Sequence, residues 1–233
     1  ETRNKRRPTP NDVTYDSEKG VVSIPTDGAN ESFKEYIDTY MNTLDGYPIL
    51  SKLSIYFSTI DIDFSTFNKD TVLIYDITDL MKSLKENTST PIDIKEVSLE
   101  KFVVQSVTVK KNDNEYLKVS LYPISPFEHS HNYAVIIKKG VKTKNGDEIL
   151  PTFYFNLIKS KDPLIDKDGH ILALEGALDS ESAMLLEHIR NINNYVLTYL
   201  EQKSIVSRND VILMWTFTTN SGNTVIYDPV TGN

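Results

Sequence analysis

The stretch DPLIDKDGHILALEG, residues 162–176, carries carboxylates at a spacing that suits calcium. With Gly169 set at the glycine of an EF-hand loop, Asp166, Asp168 and Glu175 fall on ligand positions, but Leu164 falls on the first and has no oxygen to give. An Asp-rich turn built on Asp168-Gly169 explains the same residues and is the preferred reading. In STIDIDFST (58–66), Asp61 and Asp63 lie on one side of an extended segment, where they suit either a calcium ion or backbone N–H groups of a turn. The turn is again preferred. His129 and His131 in EHSHNY share a face if extended, and with Glu128 they would offer zinc a partial ligand set. Two histidines do not make a site, so a surface loop is expected. His170 and His188 have no evident partners in sequence, and His188 is expected to face solvent. The chain contains no Gly-x-Ser-x-Gly elbow. No catalytic residue is assigned, and the chain is expected not to be an enzyme, although triads are defined by geometry rather than sequence.

Composition narrows the classes. The chain has 233 residues, no cysteine, and a net charge of −8. That length suits one large domain or two small ones. Absence of cysteine removes disulfides and thiolate chemistry. An acidic balance argues against nucleic acid as a partner. No run is apolar for the ~18 residues that a membrane span needs. The polar start ETRNKRRPTPND reads as a trimmed terminus, and a lipid anchor upstream of it is compatible with the sequence.

The elements that would position any site are mostly strands. KLSIYFS, YLKVSLY, NYAVIIK, TFYFNLI and VILMWTFTT alternate apolar with other residues, the pattern of antiparallel sheets with one polar face. VLIYDI (72–77) and FVVQSVTVK (102–110) are further strand candidates. Asn145-Gly146 marks a turn, KKNDNEY (110–116) a hairpin connection, and YPISPFEHSHNY (122–133) a proline-broken crossover. Residues 179–203 instead place Leu185, Ile189, Ile192, Val196 and Tyr199 on one helical stripe, capped by Asp179 or Ser180. A shorter helix is expected at 30–44, with Phe33, Tyr36, Ile37, Tyr40 and Leu44 on one side. Tyr133, at the start of a strand after the crossover, is expected to bond back to upstream backbone through its hydroxyl. Trp215 and Phe217, beside Leu213, are expected in the core.

PILSKLSIYFSTIDIDFSTFNKDTVLIYDI, LKVSLYPISPFEHSHNYAVIIKKGVKTKNGDEI and WTFTT resemble bacterial Ig-like domains of the SbsA type. RPTPND, GVVSIPTDG and LDGYP add a similarity to the N-terminal domain of bacterial surface or virulence-factor lipases. The resemblance implies a mainly β, Ig-like Greek-key β-sandwich with an inserted α-helical segment before the last strand. Residues 1–19 would be an arm, 20–219 the sandwich with its insertion at about 160–205, and 220–233 a linker. It implies an exported or cell-surface accessory module whose partner is an adjacent domain of the same polypeptide, a lipase or esterase beyond residue 233. It carries over no catalytic residue and no cofactor. An adhesion or carbohydrate-binding module, with exposed aromatics drawn from Tyr36, Tyr40, Tyr47 and Tyr122, is the first alternative. A calcium-stabilised surface-layer domain is another.

Overall fold

A computed structural model describes residues 7–16, 19–26, 29–86, 92–111, 114–172 and 179–223. Within them the chain is mainly β and mostly antiparallel, with a few helices. In chain order the elements are β1 (Tyr15–Asp16), β2 (Val21–Val22), α1 (Glu31–Thr39), β3 (Leu53–Phe57), β4 (Val72–Asp76) and α2 (Thr78–Glu86). Then come β5 (Lys95–Glu96), β6 (Phe102–Lys111), β7 (Asn114–Pro123), β8 (Asn132–Lys138), α3 (Phe153–Ile158), α4 (Ser180–Gln202) and β9 (Val211–Thr218). The strands form a β1-β2 ribbon, a three-stranded sheet β3-β7-β6 and a four-stranded sheet β5-β4-β8-β9. Packing divides the chain into two compact units, the first made of 1–61, 74–135 and 215–233, the second of 62–73 and 136–214.

In the first unit, β7 pairs antiparallel with β3 from Leu53↔Leu121 to Phe57↔Leu117, and with β6 from Phe102↔Pro123 to Lys111↔Asn114. Leu117, Val119 and Leu121 of β7 are buried and Tyr116, Lys118 and Tyr122 are not, but Ser120 on the other face is buried too, its hydroxyl 3.2 Å from that of Ser54. β4 ends where β8 begins, since the Ile77 N–H donates to the Asn132 carbonyl at 2.8 Å. β9 ends at the same place, the Thr219 N–H donating to the His131 carbonyl at 2.9 Å, so both neighbours run antiparallel to β8. The core here is aromatic. Phe127 lies 4.7 Å from Tyr133, 5.2 Å from Phe217 and 5.8 Å from Phe102, ring centre to ring centre. Trp215 is buried as well, as expected. Expectation fails on α1. Only Ile37 and Leu44 of its expected face are buried, while Phe33, Tyr36 and Tyr40 stand exposed. The helix stops at Thr39 and a 3-10 turn follows over Met41–Thr43. α2 escaped the sequence reading. Asp76 opens it, its Oδ1 accepting from the Thr78 N–H and hydroxyl at 3.0 and 2.6 Å.

The second unit holds the helix expected as an insertion, and two expectations are corrected there. TFYFNLI is not a strand. Thr152 accepts from the Phe155 N–H and starts α3, which buries Phe155 and leaves Phe153 and Tyr154 exposed. A run in which every other residue is apolar also fits a helix once its neighbours are apolar too, and the cap decides. On α4 the buried stripe is Ala183, Arg190, Asn193, Val196, Leu197 and Leu200. Of the expected stripe only Val196 is buried. Ile189 and Ile192 are half-buried and Leu185 is 39% exposed. The reason is electrostatic. Arg190 turns inward because its charge is met. Its Nε and Nη2 donate to Glu187 at 2.8 and 2.6 Å, and its Nη1 to the Ser160 and Lys161 carbonyls at 3.3 Å. Arg208 does the same with Glu201, Thr198 and the Lys159 carbonyl. These carbonyls close the C-terminal end of α3, where cations are favoured. The Arg190 guanidinium in turn holds the Glu187 carboxyl below the usual carboxylate range.

Breaking a buried ion pair by removing one partner leaves the other unmet. Arg190→Ala should therefore lower the unfolding free energy by about 3 kcal/mol in urea titrations. Leu185→Ala, on the stripe that sequence favoured, should cost less than about 0.5 kcal/mol.

Candidate functional site

The residues singled out for metal binding do not all come together. Asp166, Asp168 and His170 do: one ligand atom of each lies within 4.8 Å of the others. A tight turn makes this group. Ile165 bridges Ile171, Gly169 adopts φ +87°, and Asp166 Oδ1 accepts the N–H groups of Asp168 and His170 at 2.9 and 2.8 Å. His170, expected to lack partners, sets its Nδ1 2.9 Å from Asp166 Oδ2. Bonds from the His170 backbone and ring hold the Asp166 carboxyl below its ordinary range. Glu175 lies outside the described residues. Asp63 acts as a turn acceptor, taking the Ser65 N–H at 3.0 Å and its hydroxyl at 2.7 Å, and these bonds lower its carboxyl's affinity for protons. Asp61 is exposed.

His129 and His131 part company. Ser130 between them has φ 58°, a left-handed conformation that destroys the extended spacing a shared face needs. His131 Nδ1 goes to Asp76 Oδ2 at 2.6 Å, and His129 Nδ1 to the Asn220 carbonyl at 3.0 Å. An Asp–His pair supplies two members of an acid–base–nucleophile set. Among the described residues, the ring of His131 has its hydrogen bond to Asp76 and none to a serine hydroxyl. His188 is exposed on α4. In the second unit, an open depression of about 480 Å³ is lined by residues including Lys138, Glu201, Ser204 and Asp210. Its acids are already engaged, Glu201 by Arg208 and Asp210 by Lys139 at 3.8 Å.

A dense set of hydrogen bonds lies where β9 runs out. Thr218, Thr219, Asn220 and Ser221 are gripped from both sides. On one side, the Tyr47 N–H donates to the Thr218 carbonyl and the Asn220 N–H to the Tyr47 carbonyl, both at 2.8 Å, and Asp45 Oδ1 accepts the Ser221 N–H at 3.1 Å. On the other, the Ser130 N–H donates to the Asn220 carbonyl at 3.0 Å, and the Thr219 hydroxyl donates to the Glu128 carbonyl at 2.6 Å while accepting the His131 N–H at 2.9 Å. Gly46 makes the approach possible. A Cβ there would stand 2.5 Å from the Thr219 carbonyl carbon. Tyr47 is buried, its hydroxyl donating to the Asn11 carbonyl at 2.9 Å and also bonded to Thr14. Tyr133 behaves as expected: its hydroxyl accepts the Glu128 N–H at 3.0 Å, and burial pushes its pKa up to about 12. Sequence reasoning found Tyr133, missed Asp45, Asp76 and Thr219, and took Tyr47 for a candidate exposed aromatic where it is buried. Gly46 in LDGYP was the one available signal.

Asp12 completes the grip from the N-terminal side, its Oδ1 accepting the Thr218 N–H at 2.8 Å. Burial raises its pKa from 3.8 to about 6, against bonds from Thr216 and Thr218 and the charge of Lys85. The folded state therefore holds this proton more tightly than the unfolded chain does. The resulting stability is fully present below the unfolded value and is lost as pH rises through about 6. Asp12→Asn keeps the acceptor and removes the titration. Between pH 7 and pH 4 the native chain should gain about 2–3 kcal/mol relative to this variant in chemical denaturation. No protein-family model matches the chain, and no curated protein matches it.

Proposed function

We propose that the chain is a non-catalytic, Ig-like accessory module of an exported or cell-surface bacterial protein, and that it presents a neighbouring domain of the same polypeptide. The carrying observation is the grip on Thr218–Ser221. A strand end that only had to finish a sheet would need no bonds beyond its neighbour. This one is held by Tyr47 and Asp45 on one flank and by Ser130, His131 and Glu128 on the other. Fixing the direction of the outgoing chain is what a positioning module requires. The sequence resemblance names a lipase or esterase as the neighbour. The Asp76–His131 pair does structural work in this reading, tying the start of α2 to the start of β8.

Ester hydrolysis and thermal unfolding of the isolated chain, set beside the whole polypeptide, test this. The isolated chain should give no turnover above buffer, and in the whole polypeptide Gly46→Ala should split one coupled melt into two. Turnover by the isolated chain that one serine substitution abolishes, or two independent melts in the unaltered polypeptide, would sink the reading.

A glycan-binding module is the second reading, favoured by α1. Phe33, Tyr36 and Tyr40 are 49%, 51% and 42% exposed, and the Tyr36 and Tyr40 rings lie 5.9 Å apart. Such rings offer flat apolar faces with polar tips. This reading expects retardation of the chain in polysaccharide-containing gels, reduced severalfold by Tyr36→Ala. Free migration of the native chain in every polysaccharide tried would eliminate it.

A further inference from the structure

The C-terminal end of α4 is closed by an unusual residue. The Ile205 N–H donates to the Leu200 carbonyl at 2.9 Å and the Ser204 N–H to the Glu201 carbonyl at 3.0 Å, the pair of bonds that ends a helix through one left-handed residue. That residue is Ser204, at φ 56°. Glycine is the usual occupant, because a Cβ in this conformation crowds the backbone. Strain of this kind gathers at binding sites, where a side chain has a use that offsets it.

Ser204 lines the open depression of about 480 Å³ together with Lys138 and Ser207. That volume is in the range of small-molecule sites. Among the described residues these three side chains have no partner. The Ser204 hydroxyl makes no hydrogen bond. Ser207 stands at the N-cap of the 3-10 turn Arg208–Asp210, where a serine hydroxyl ordinarily takes a backbone N–H, yet its side chain makes no such bond. Lys138, at the end of β8, forms no ion pair. One ammonium and two hydroxyls therefore have donors to spare.

The charge around them has one sign in excess. The two carboxylates that line the depression meet three cations, Glu201 facing Arg208 at 3.3 Å and Lys161 at 3.6 Å, and Asp210 facing Lys139 at 3.8 Å. Lys138 is a fourth. Lys159 feels the same surplus: burial, with the charges of Lys139 and Arg208, holds its ammonium below the ordinary range against the pull of Asp210. On a chain of net charge −8 this is a local reversal, and a field of that sign draws anions.

From this cluster we infer that the depression is an oxyanion site that takes a phosphate group, either as the free ion or as a small monoester. Lys138 supplies the charge, as lysine does for phosphate elsewhere, and the Ser204 and Ser207 hydroxyls donate to its oxygens. The three donors come from β8, from the end of α4 and from the turn before β9, so they suit an anion with oxygens in several directions better than a planar carboxylate. The site lies within the second unit, and the inference does not rest on the accessory-module reading.

Titration of the full chain with inorganic phosphate and with glycerol phosphate tests it, followed by amide chemical shifts at an ionic strength held constant with sodium chloride. Saturable shifts should centre on residues 204–210, with a Kd between about 0.1 and 10 mM. Tighter binding of glycerol phosphate would make the monoester the ligand, and equal binding the free ion. Lys138→Gln should weaken either by about tenfold or more, and Ser207→Ala severalfold. Ser204→Gly separates ligand from fold. It should bind severalfold more weakly and yet melt about 2–4 °C higher, since glycine relieves the left-handed turn. Shifts no larger than sodium chloride alone gives, a Lys138→Gln chain that binds as the native one does, or a Ser204→Gly chain that keeps its affinity overturns the proposal.

Discussion

Thr219 is the residue on which the first unit turns. It is 1% exposed, and both its hydroxyl and its N–H are committed. Its hydroxyl sits between the Glu128 carbonyl and the His131 N–H, and its own N–H returns to the His131 carbonyl. A buried polar group left without partners costs about 1–3 kcal/mol, so this geometry is held or lost as a whole. Through it the loop before β8, the end of β9 and the segment around Tyr47 become one assembly. The aromatic cluster of Phe127, Tyr133 and Phe217 fills the space beneath. Packing and hydrogen bonding thus agree on a single position for the residues leaving β9.

The second unit solves a different problem. A helix of 23 residues buries two polar side chains, Arg190 and Asn193, within its inward stripe. Ordinary patterning forbids this, and the offset comes from partners placed one turn away and across at α3. Glu187 neutralises Arg190, whose Nη1 goes to the Ser160 and Lys161 carbonyls, and Asn193 Nδ2 donates to the Ile189 carbonyl; beside them Glu201 neutralises Arg208, which also reaches the Lys159 carbonyl. Arginine is suited to this because its planar fork reaches several acceptors at once. The apolar residues nearby, Val196, Leu197 and Leu200, then pack without leaving a charge stranded.

Legibility from sequence followed physics of different range. β7 was readable because its alternation reports one buried face directly. β6 was readable as a strand but not as an exposed one, since Val103, Val104 and Val107 look like core until the sheet order is known. α3 was misread because FYFNLI supports either period, and the deciding fact was the Thr152 cap. The α4 stripe was misplaced because the Glu187–Arg190 pair, three residues apart, reads as a surface pair, and the two carbonyls that draw Arg190 inward lie 30 and 29 residues away. Ser130 is the sharpest case: one left-handed residue separates His129 from His131, and serine does not announce it. Of the site itself, Tyr133 was legible from its position after a crossover. Thr219 was not, because its partners are 88 and 91 residues away.

The doubled grip on the outgoing chain has a mechanical side. A strand bonded along one edge peels from its end, one link breaking at a time under a small force. Tension applied to the segment after Asn223 would meet anchors on both flanks of Thr218–Ser221 at once, so several links must shear together. The load passes into the Tyr47 loop and the Glu128–His131 loop before it reaches β9.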